Sequence, residues 1–77
     1  MILSLDRLPR GRAALVREIL PCGDMQLRLF DLGLSRGERV ETLMISPLGD
    51  PKAYRICGAV IALRDRDARY VIVEETF

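Results

Sequence analysis

The sequence predicts a mainly β fold, a small closed barrel of about five short strands with one short α-helix inserted after the first strand. Three observations carry that expectation. Short apolar segments of alternating polarity recur along the chain, punctuated by glycine and proline. Only residues 24–32 change to helical spacing. With 77 residues, the chain reads as one domain, 1–77, and buries only about 60% of the surface its unfolded form exposes. Closing the strands into a barrel would use so small a core economically and remove exposed sheet edges.

In chain order, Leu3, Leu5 and Leu8 precede the turn signal Pro9-Arg10-Gly11, and Leu5 and Leu8 are expected to lie as a lid over the core. Residues 13–19 read as the first strand. Leu15, Val16 and Ile19 do not share one parity, and a bulge, by adding one residue, would reconcile them. Leu20-Pro21-Cys22-Gly23 ends the strand. Asp24 is the expected N-cap of the helix, on which Met25, Leu29 and Leu32 share the core face. At about nine residues such a helix is not stable alone and must be held by packing.

The helix leads into a junction with a glycine at each change of direction. Gly33 falls at C′, where positive φ costs glycine almost nothing, and Leu34 at C″ should fold over Leu29, as in a Schellman motif. Ser35-Arg36-Gly37 makes a second tight bend, after which residues 38–46 form a strand. Leu43, Met44 and Ile45 are apolar on both parities, which implies cover on both sides, the helix being the candidate cover. Pro47-Leu48-Gly49-Asp50-Pro51 then predicts a rigid projecting loop, with Gly49 at the bend and Asp50 closing an Asx turn. Residues 53–57 alternate with Tyr54 and Ile56 on one face. Gly58 permits a kink or bulge before residues 60–64, where Ile61 and Leu63 share a face. Residues 64–68 form a charged turn, at most one helical turn, and 70–74 the last strand, with Val71 and Val73 inward.

Composition excludes several functions. Lys and Arg number 12 against 11 Asp and Glu, a net charge of +1 without basic runs, which argues against a nucleic-acid binder. The longest apolar run, 56–63, is far short of the roughly 20 residues of a membrane span, and the N-terminus lacks the features of a signal peptide. A soluble cytoplasmic protein is expected. Cys22 and Cys57 lack CxxC spacing and read as two free, buried thiols. There is no histidine, hence neither the commonest general base nor the commonest metal ligand. No glycine-rich phosphate loop is present. The chain reads as a non-enzyme, with no evident cofactor and no residue to name as a metal ligand.

The order and spacing of several motifs resemble the FeoA family of ferrous iron transport proteins. They are Leu5, Leu8 and Gly11; the Leu-Gly-Leu-x-x-Gly from Leu32 to Gly37; the Pro-Leu-Gly-Asp-Pro from Pro47 to Pro51; and Ile61-Ala62-Leu63-Arg64 followed by Ala68, Val71 and Val73. The resemblance covers essentially the whole chain. It implies an SH3-like β-barrel with a helix after the first strand, related to the C-terminal domain of iron-dependent repressors. It also implies a cytosolic accessory of bacterial ferrous iron uptake whose partner is the cytoplasmic region of the membrane transporter FeoB. Association with Fe(II) is implied by the resemblance alone.

Turn geometry and packing account for Gly33, Gly37, Gly49 and Asp50, so a partner contact must be sought elsewhere. Leu27 and Phe30 form an i, i+3 pair away from the core face of the helix. Two readings stand: an exposed docking pair, or a second buried face on a helix wedged against the barrel. Leu48, at the tip of the proline-bracketed loop, is the next candidate, against inward folding onto Tyr54. The reading adopted is a non-enzymatic module that binds and tunes a partner. It involves no nucleic acid and no membrane insertion, and weak self-association is compatible with it. The alternatives are a stand-alone relative of the repressor module and a nucleic-acid-binding small barrel. Near-neutral charge and four aromatics count against the latter.

Overall fold

The computed structural model describes residues 1–75. The chain forms β1 (Ile2–Ser4), a 3-10 turn (Leu5–Arg7), β2 (Ala13–Ile19), α1 (Asp24–Asp31), β3 (Arg39–Ile45), β4 (Lys52–Ile56), β5 (Ala59–Leu63), α2 (Asp65–Ala68) and β6 (Val71–Glu74). The fold is mainly β, as expected, with six strands where about five were expected. All six join one antiparallel sheet in the order β1-β6-β2-β3-β4-β5. The strand that the sequence pattern did not show is β1, which pairs Ile2 with Glu74 and Ser4 with Ile72. α1 therefore follows the second strand rather than the first. Nor is the sheet closed: β1 and β5 are its two edges. β1 leaves the sheet after three residues through the 3-10 turn, so it cannot extend to meet β5.

Two bulges set which side chains face the core. Between Val16 and Glu18 the β2–β6 register shifts, and Val16 and Ile19, three apart, both point inward while Leu15 stays outside. That is the reconciliation expected for this strand. A second shift lies between Thr42 and Met44, against β4. It leaves Met44 62% and Ile45 38% exposed, so the two-sided cover inferred from Leu43-Met44-Ile45 does not exist: the bulge turns these side chains out, and α1 does not lie over them.

The core joins Leu5, Leu8, Leu29, Leu34, Tyr54 and Val73, all at most 1% exposed, with neighbours from every strand. Leu5 and Leu8 are the expected lid. The Thr42 hydroxyl, itself buried, latches that segment by donating to Leu8 O at 3.0 Å.

Candidate docking surface

Local geometry at its two ends positions α1. Asp24 is not the N-cap. Gly23 takes that place at φ 65°, with no side-chain cap, and Asp24 is the first helical residue, its carboxylate still complementing the helix dipole. The positive φ explains the difference, since glycine tolerates it and aspartate does so less well. At the other end the expected Schellman motif forms in full. Gly33 N–H donates to Phe30 O at 2.9 Å and Leu34 N–H to Leu29 O at 3.2 Å, with Gly33 at φ 100°. Gly37, at φ 92°, then turns the chain, its N–H bound to Val16 O at 2.8 Å.

The C-terminal end of α1 is also fastened to the β4–β5 hairpin. Residues 57–58 reverse the chain instead of kinking one long strand: Cys57 at φ 49° and Gly58 at φ 80° form a two-residue turn with positive φ at both positions, and Ile56 pairs with Ala59. A glycine before an apolar run is compatible with the kink or bulge expected at Gly58 and equally with a reversal, and local spacing does not separate them. The Cys57 thiol donates to Gly33 O at 3.4 Å and to the Glu38 carboxylate at 3.5 Å. It is exposed, contrary to the expectation of a buried thiol, while Cys22 is half-buried. Lost hydration, and then the Glu38 carboxylate, raise the Cys57 pKa above the ordinary thiol value. The group is thus kept as thiol, the opposite of an activated nucleophile.

Only one face of α1 is covered. Leu29 is fully buried and Met25 and Leu32 pack partly beneath it, whereas Leu27 is 67% and Phe30 46% exposed. A helix wedged on both faces is excluded. Leu48 is 94% exposed, which excludes its inward folding onto Tyr54. These candidates do not form one patch. α1 adjoins the start of β3, while the loop of residues 47–51 leaves its far end, about 20 Å away at the rise of a strand.

That loop is braced from across the fold. Asp50 does not close an Asx turn. Its Oδ1 accepts from Asp65 N–H at 2.9 Å, capping α2, and Arg64 Nη1 lies 3.8 Å from Oδ2. Lys52 Nζ holds Asp65 Oδ1 at 2.6 Å. A cap supplied from fifteen residues away leaves no local sequence signal. Burial, and then the carboxylates of Asp65, Asp6 and Asp50, push the Tyr54 hydroxyl well above its ordinary range, and it points to Leu5 O at 3.5 Å.

Among the described residues no three His, Cys, Asp or Glu side chains cluster so as to hold a metal ion. The donors present do not fit a transition-metal site, since Cys57 has only Glu38 and a backbone carbonyl beside it. No described helix is long and apolar enough to cross a membrane. An open antiparallel sheet, one short helix with an exposed apolar face and no catalytic constellation among the described residues define a small interaction domain of SH3-like type. Comparison assigns its family: the chain belongs to the FeoA domain family, whose model matches residues 3–75.

Among solved structures it is similar to the FeoA protein of Chlorobium tepidum, at 31% identity and TM-score 0.88 over 97% of this chain and 71% of that one. It is likewise similar to Stenotrophomonas maltophilia FeoA, a prokaryotic SH3 domain protein complexed with zinc, at 28% identity and TM-score 0.85 over 94% and 89%. A manganese-dependent transcriptional repressor shares the fold, at 18% identity and TM-score 0.86 over 97% of this chain and 42% of that one. No curated protein matches the chain.

Proposed function

We propose that this chain is a non-enzymatic cytoplasmic accessory of bacterial ferrous iron uptake, which acts by contact between the exposed face of α1 and the cytoplasmic region of the transporter FeoB. The observation that carries the reading is the pairing of Leu27 and Phe30 on a helix face that the sheet leaves open. Large apolar side chains placed together on a small domain's surface mark contact sites, and FeoB is the partner that the resemblance to ferrous iron transport proteins implies. Leu48 is the second candidate contact. Zinc in the S. maltophilia relative supports a metal association in the family, but the donors of this chain assign it no step here. The repressor-module alternative has only a shared fold in its favour.

Phe30→Asp tests the reading. Because Phe30 is exposed, the variant should keep its circular dichroism spectrum and melting temperature. It should weaken binding to the purified cytoplasmic region of the transporter by about 2 kcal/mol or more, roughly thirtyfold. A folded variant that binds as the parent does would refute docking through α1 and move the contact to Leu48.

A further inference from the structure

We infer that the free edge of β5 is a self-association surface, on which a second copy of this chain lays its own β5 antiparallel across a two-fold axis. The strand Ala59-Val60-Ile61-Ala62-Leu63 ends the sheet. The two-residue turn makes Ile56 and Ala59 the closing pair of the hairpin, and hydrogen-bonding direction alternates from there. Ala59, Ile61 and Leu63 therefore direct N–H and C=O toward β4, while Val60 and Ala62 direct theirs outward, with no partner among the described residues. None of the usual protections of an edge is present in this strand: it has no charge, no proline and no bulge. Val60 is 62% exposed. The opposite edge, β1, is only three residues long and passes directly into the 3-10 turn.

Register and charge favour a second copy over a foreign strand. With Ile61 opposite its own counterpart, Val60 meets Ala62, so both outward-facing residues of the strand are paired within it, while Gly58 lies opposite Arg64, whose C=O is already taken by the Asp67 and Ala68 N–H groups. A shift of two residues in either direction leaves Val60 or Ala62 without a partner inside the strand. In this register each Arg64, 55% exposed and only 3.8 Å from its nearest carboxylate, falls beside the 57–58 turn of the other copy. Glu38 stands there, bound to the Cys57 thiol at 3.5 Å and without a cation partner among the described residues. Two-fold symmetry makes this complementary contact twice. The same register extends the outer-face row of Met44, Ala53 and Ala62 with Val60 of the other copy. That row borders a shallow groove of about 110 Å³. A five-residue edge buries less than the roughly 1,200 Å² of a standard stable interface, so the dimer is weak and concentration-dependent.

The inference does not depend on the transporter reading. It is tested on the whole chain in reducing buffer, so that Cys57 cannot cross-link copies. Sedimentation equilibrium from micromolar to millimolar protein should show a monomer–dimer equilibrium, with amide-exchange protection at Val60 and Ala62 rising with concentration. Val60→Lys, on an exposed side chain, should keep the melting temperature and lose the dimer. Arg64→Glu should weaken the dimer by at least about fivefold, and adding Glu38→Arg should restore it. A wild type that stays monomeric at millimolar concentration, a dimer unaffected by Val60→Lys, or a charge-swapped double variant without recovery would each overturn the proposal. So would β5 amides protected only when the transporter's cytoplasmic region is added, which would assign the edge to a foreign strand.

Discussion

Gly33 is the position where one added methyl group meets two separate obstacles. At φ 100° an L side chain is strained wherever it points, at about 1–3 kcal/mol. A Cβ there would also lie 2.5 Å from Cys57 Sγ and 3.2 Å from Cys57 Cβ. The exposed thiol can rotate away, but Cys57 Cβ is set by the backbone of a two-residue turn, so the hairpin must give by a few tenths of an ångström. Overpacking of that kind costs about 1–3 kcal/mol. A 77-residue domain has a total stability of about 4–11 kcal/mol. Gly33→Ala should therefore lower the melting temperature by at least about 10 °C, at about 4–8 °C per kcal/mol for a domain of this size. Gly33→Val should lower it further. Cys57→Gly separates the two costs, because it removes the obstructing atoms but leaves the strain at residue 33. Thermal and urea unfolding of both single variants and the double variant, followed by circular dichroism, should give a favourable coupling of about 1 kcal/mol or more. An unchanged melting temperature in Gly33→Ala would refute the junction geometry, and additivity in the double variant would refute the contact with Cys57.

Asp50→Ala should cost about 1 kcal/mol in urea unfolding through loss of the cap on Asp65 N–H. Asp50→Asn, whose Oδ1 can still accept, should cost less, and equal losses would argue against a capping role. Tyr54 predicts the alkaline limb of stability. Its hydroxyl has a folded pKa raised above the unfolded value of 10.0, so the unfolded chain releases a proton that the folded one keeps, and stability falls as pH rises above about 10. Tyr54→Phe should flatten that limb, at a cost of about 1 kcal/mol or less near neutral pH from the long bond to Leu5 O. Identical alkaline profiles for parent and variant would disprove the assignment.

Much of the fold was legible because the signals are local. The Schellman junction needs only the spacing of Leu29, Gly33 and Leu34, since glycine alone takes that φ cheaply. The bulge in β2 follows from the parity conflict at Val16 and Ile19, and the inward faces of β4 and β6 from simple alternation at Tyr54, Ile56, Val71 and Val73. The FeoA motifs were likewise a matter of order and spacing.

What the sequence left open depended on partners distant in the chain. Three residues carry too little pattern to announce β1, which exists because Ile2 to Ser4 find the far end of the chain at β6. Asp50 looked like an Asx turn because its true acceptor role is to Asp65, across the loop and a hairpin. Gly58 after Cys57 allowed a kink or a reversal, and only the pairing of Ala59 with Ile56 decided between them. The candidate surfaces show the same limit. Periodicity states which side chains share a face, as with Leu27 and Phe30, or that both faces of a strand are apolar, as at Met44 and Ile45. Whether another element covers that face is a property of the assembled sheet. Here the sheet leaves α1 half-covered, turns Met44 outward at a bulge and stops at β5 without closing.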